Sequence, residues 1–128
     1  MTATTKLLPW ALRAFGAVFC LIYGLSIVWP AGWAWHEGSP ATNDYFLMIV
    51  GVYFTLGVFL IRAADNPAAN ASLIWFTVWS SVIHALVMTY EAIRTPMHQG
   101  HLIGDVPALL IAAAVLTVLM KREVPPAA

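Results

Sequence analysis

The sequence predicts an all-α fold: an integral membrane bundle of four antiparallel helices with both termini cytoplasmic. Three observations carry that expectation. Hydrophobic residues make up 61% of the 128 and charged ones only 9%, against about a quarter charged in a soluble domain. The apolar residues gather in four segments, about Leu8–Trp29, Tyr45–Ile61, Ala71–Tyr90 and Leu102–Met120, most of them near the ~20 residues that cross a bilayer core. Lysine and arginine alternate between the ends. Lys6, Arg13, Arg62, Lys121 and Arg122 fall on one side and Arg94 alone on the other, which makes the first side the inner one. The chain thus reads as one multi-pass domain of the cell inner membrane, with the lipid bilayer as its surroundings. A formal net charge of zero and the lack of any basic cluster exclude nucleic acid as a partner.

The first segment carries Lys6 and Arg13 but is longer than a signal-peptide core and ends at Trp29-Pro30, so it is expected to stay as a helix. Arg13, one turn in, would snorkel to the inner headgroups. Gly16, Cys20 and Gly24 recur every four residues, a small-residue stripe that lets another backbone approach, in the bundle or in a homodimer. Cys20, the single cysteine, excludes an intramolecular disulfide. The loop that follows holds Trp33 and Trp35, which with Trp29 would form an outer aromatic belt; Trp10 and Trp75 would form an inner one. His36-Glu37 lies in this loop and is either part of a polar site or a solvated stretch anchored by the tryptophans.

Asp44 is placed to cap the second helix, on which Met48, Gly51 and Thr55 share a face. Asp65-Asn66-Pro67 makes the next turn. On the third helix Thr77, Ser81, His84, Met88 and Glu91 fall along one stripe, while Trp75 and Trp79 point toward lipid. His84 precedes Glu91 by seven residues, nearly the same angular position and roughly 10 Å deeper. An ionisable group at that depth is costly and points to function; the alternative is a neutral imidazole joining two helices. Glu91 reads either as a site carboxylate or as the partner of Arg94. Thr95-Pro96 ends the helix, and Pro125-Pro126 follows the last one.

The third loop holds His98, His101 and Asp105. Were it helical, these would share a face at i, i+3 and i+7 and, with His84, could bind a divalent metal. Asp105, two residues before Pro107, is equally suited to cap the fourth helix.

Trp29-Pro30-Ala31-Gly32-Trp33 with His36, the run Ile49–Leu60 before Asn66-Pro67, Ser72–Phe76 through His84, and Gly100-His101-Leu102-Ile103-Gly104-Asp105-Val106-Pro107-Ala108 resemble a family of small bacterial four-helix membrane proteins of unknown function. The resemblance spans most of the chain. The layout is also loosely similar to the DoxX-like group. Membership implies the fold and a bacterial inner-membrane location and brings no reaction.

The residues therefore point to an outward-facing polar pocket built from His84, Glu91, His98, His101 and Asp105, with His36 beside it. It would bind a metal, a haem or a small polar or lipophilic ligand. Two other classes compete. One is a membrane enzyme with His84 as base and Glu91 or Asp105 orienting it; the other is an accessory subunit of a larger membrane complex.

Overall fold

The computed structural model describes residues 6–33 and 42–126. It is all-α: among the described residues there is no strand, and five α-helices are joined by short 3-10 turns. The helices are α1 (Leu8–Cys20), α2 (Ile22–Val28), α3 (Asp44–Ala63), α4 (Ala71–Arg94) and α5 (Asp105–Glu123). Three stretches are long and apolar enough to cross a membrane: Asp44–Ala63, Ala68–Arg94 and Pro96–Glu123. α1 and α2 add a fourth if the bent pair forms one span.

The first segment is thus not the single helix the sequence predicts. It breaks at Leu21 with a bend of 59°. No proline or glycine marks the break. Leu21 sits at φ −96°, ψ 5°, in the sparsely allowed bridge region. Its N–H is shared between the carbonyls of Ala17 and Val18 at 3.1 and 3.0 Å, the tightened end of a helical turn. The second helix also starts differently. Asn43 rather than Asp44 caps it, its Oδ1 accepting the Phe46 N–H at 2.8 Å. The third helix runs on to Arg94 and stops at Thr95-Pro96 as expected. The last begins only at Asp105, because Pro96–Leu102 winds as a 3-10 turn.

α1 packs chiefly on α3, and α4 on α5. The first pair meets at glycine. A Cβ on Gly16 would lie 2.7 Å from the Gly57 carbonyl oxygen, and one on Gly57 would lie 2.5 Å from that of Gly16 and 2.7 Å from Cys20 Sγ. Gly16 and Cys20 of the expected stripe therefore serve the fold itself. Gly24 and Gly51 have nothing within 4 Å of their missing Cβ, so the stripe stops short of Gly24 and the partner on α3 is Gly57. Leu12, Leu60, Ile74 and Leu116 are fully buried and join the two pairs in one core.

Polar ties close the end where the start of α1 meets the end of α5. Glu123 accepts the N–H groups of Leu7 and Leu8 with its two carboxylate oxygens at 2.8 and 3.0 Å, capping α1 from the far end of the sequence. Arg13 pairs with Asp65 at 3.0 Å and lies over the Trp10 ring. Trp79 is exposed as expected, but Trp75 is half-buried against the core.

Candidate functional site

Toward the opposite end, around and beyond the bend at Leu21, residues of all five helices border a cavity of about 880 Å³. Phe15, Phe19, Ile22, Trp29, Phe46, Ile49, Met88 and Leu109 make most of its wall apolar. Val18, Leu25, Ile49 and Ile111 line it and are themselves exposed. The cavity is therefore open through apolar flanks and not sealed inside the protein.

Its polar wall is built from two hydrogen-bonded pairs. Tyr53 on α3 and His84 on α4 join hydroxyl to Nδ1 at 2.6 Å, with their rings edge to face. The contact links two helices that otherwise touch little. The sequence reading placed His84 on the inward stripe of its helix; its partner Tyr53 was missed. The signal was present: a phenol deep in an apolar helix needs a hydrogen-bond partner when buried. Thr77 and Ser81, deeper on the same stripe, are buried. Thr77 turns its hydroxyl back to the Leu73 carbonyl at 2.9 Å, as helical threonines do.

The second pair is His101 with Asp105, Nδ1 to Oδ1 at 2.8 Å. Asp105 is only 6% exposed and opens α5, yet its side chain makes no cap bond. The expected capping role thus gives way to pairing with His101. The turn geometry explains the company. In a 3-10 turn side chains at i and i+3 eclipse, so His98 and His101 share a face with ring centroids 6.1 Å apart. Both line the cavity. Asp105 and His101 also lie within electrostatic reach of His84, and Asp105 of Tyr53.

Four of the expected site residues, His84, His98, His101 and Asp105, therefore border one cavity. Glu91 stays outside its lining and lies 3.8 Å from His98 Nδ1. It does not take Arg94 as its partner: Arg94 donates to the Tyr90 hydroxyl at 2.8 Å and covers that ring. His36 and Glu37 lie outside the described residues. Among the described residues no three His, Cys, Asp or Glu side chains form a group that could hold a metal ion. The i, i+3, i+7 face presumed a continuous α-helix from His98 to Asp105, and the chain instead changes from 3-10 turn to α-helix between them.

Fold and cavity together define a class: an all-helical protein, among the described residues, with at least three membrane-length helices and a mainly apolar pocket that carries a few polar groups. The chain belongs to DUF6632, a family of unknown function whose profile matches residues 2–124. No curated protein and no solved structure matches it.

Proposed function

We propose that this protein is a four-span antiparallel bundle of the bacterial inner membrane, both termini cytoplasmic, that binds a lipophilic ligand by its polar head. The observation that carries the reading is the cavity itself. About 880 Å³ is within the range of small-molecule sites, and an apolar wall with a few convergent polar groups is their usual make-up. Tyr53–His84 and His101–Asp105 supply those groups. The exposed apolar flanks give a ligand a path from lipid, and the positive residues around Lys6, Arg62 and Lys121 support the orientation. A homo-oligomer or a larger membrane complex would leave this pocket in place.

The test is native mass spectrometry and an absorption spectrum on protein purified in mild detergent, followed by extraction of the bound material. A stoichiometric lipophile is expected, lost in Ala112→Phe, which places a ring in the cavity. Protein that arrives empty from native membranes, or a ligand unaffected by Ala112→Phe, would refute the reading.

A second reading has one observation in its favour. A buried carboxylate that accepts Nδ1–H holds an imidazole in the tautomer whose Nε2 can take a proton. On that reading the pocket performs acid–base chemistry, with His101 rather than His84 as the base. Conversion of the extracted lipophile by wild-type protein and not by His101→Phe would support it.

A further inference from the structure

The chemistry of the two pairs specifies the head group. Resting on the binding reading above, we infer that the ligand is an uncharged lipophile carrying a hydroxyl, and not an anionic lipid. Consider first what faces the cavity. Among the described residues its lining includes no lysine and no arginine, and Asp105 is its one carboxylate. A phosphate or carboxylate head would have to leave water without a permanent positive charge to receive it, close to a negative group that is already buried. Buried charges without partners are strongly disfavoured.

The protons define the rest. In the Tyr53–His84 pair either partner can donate. If the phenol donates to Nδ1, a neutral His84 keeps Nε2–H; if Nδ1–H donates, the phenol keeps its O–H. Both arrangements leave one donor. The His101–Asp105 pair is the complement. With Nδ1–H given to Oδ1, a neutral His101 offers the Nε2 lone pair as an acceptor. One donor and one acceptor on the same wall are satisfied together by a hydroxyl, which accepts from the first pair and donates to the second. A carbonyl head could use only the donor, and an alkane neither.

The experiment uses full-length protein in nanodiscs of zwitterionic lipid and a photoreactive long-chain alcohol as the probe. Labelling is mapped by mass spectrometry and challenged with the unmodified alcohol, the fatty acid and the alkane of equal chain length near neutral pH. The label is expected on cavity peptides, among them those of Phe15, Met88 and Leu109. The alcohol should compete at about tenfold lower concentration than either alternative, the effect of roughly one net hydrogen bond. The double variant Tyr53→Phe/His84→Phe, which removes both possible donors, and His101→Phe, each checked for folding by circular dichroism and gel filtration, should erase that advantage and leave competition by the alkane unchanged. If alcohol and alkane compete equally in the wild type, the cavity binds lipophiles without reading the head, and this inference falls while the binding reading stands. Preference for the fatty acid overturns it as well. Absence of label from the cavity removes both.

Discussion

Replacing Gly57 with alanine tests the feature on which the rest of the fold depends. The new Cβ would lie 2.5 Å from the Gly16 carbonyl oxygen, 2.7 Å from Cys20 Sγ and 3.0 Å from Cys20 N. Two of these three atoms are backbone, so no side-chain rotation relieves them. Restoring ordinary contact requires α1 and α3 to separate by about 1 Å, which loosens packing along the whole pair. Overpacking of this kind costs about 1–3 kcal/mol, and the rigid backbone contacts place Gly57→Ala at the upper end. Gly51→Ala is the control on the same helix. Nothing lies within 4 Å of its Cβ, so only helix propensity acts, and it favours alanine by about 0.5–1 kcal/mol. Thermal and denaturant unfolding in one detergent should therefore move the two variants in opposite directions, about 3 kcal/mol apart. Equal stability of the two proteins would show that α1 and α3 do not cross as described.

Other consequences can be checked in the same preparations. Glu123→Gln should cost about 1 kcal/mol and speed amide exchange at Leu7 and Leu8; unchanged exchange there would mean that the carboxylate does not cap α1. Asp105→Ala removes the acceptor of His101 in a largely buried setting and should destabilise by about 1–3 kcal/mol, with Asp105→Asn milder; a melting curve identical to wild type for Asp105→Ala would contradict the pairing. Arg13→Ala should change stability by less than about 1 kcal/mol, since its partner Asp65 is 79% exposed; a larger loss would point to a buried role. In a Cys20→Ala background, an impermeant maleimide should label Gln99→Cys on intact spheroplasts and Asn66→Cys only after permeabilisation. The reverse pattern would invert the proposed orientation.

What the sequence made legible follows from where its signals are local. The last three membrane-length apolar runs, the stop at Thr95-Pro96 and most of the inward stripe of α4, from Thr77 to Met88, depend on neighbours within a few turns, and these appear in the structure. The break at Leu21 does not, because no proline or glycine stands there and the bend is seen only in three dimensions. Glycine stripes were readable only in part. Gly16, Gly24, Gly51 and Gly57 are alike in sequence, and only the crossing of α1 and α3 selects the two that touch. The site shows the same division. His84, His98, His101 and Asp105 were identifiable as polar residues in apolar surroundings, whereas Tyr53 required knowing which helix faces His84. The i, i+4 pairing of His101 with Asp105 depends on the change from 3-10 turn to α-helix, which sequence spacing alone does not reveal.

Those same features account for the existence of the cavity. A uniform four-helix bundle with close contacts along its length would fill its own centre with side chains. Here the glycine crossing draws α1 and α3 together at Gly16 and Gly57, and the chain bends by 59° five residues beyond Gly16, so α2 does not continue the line of α1. The space so opened is bordered by α3 and α4, which touch little, and Tyr53–His84 spans them. The glycine crossing and the polar pairs are thus parts of one arrangement, Gly57 lying one turn from Tyr53 on α3. Loosening the crossing should reach the site. Gly57→Ala, where it still folds, is expected to weaken capture of the long-chain alcohol although no cavity-lining residue is altered. Stability lost with capture intact would separate the crossing from the site and assign the shape of the cavity to the bend alone.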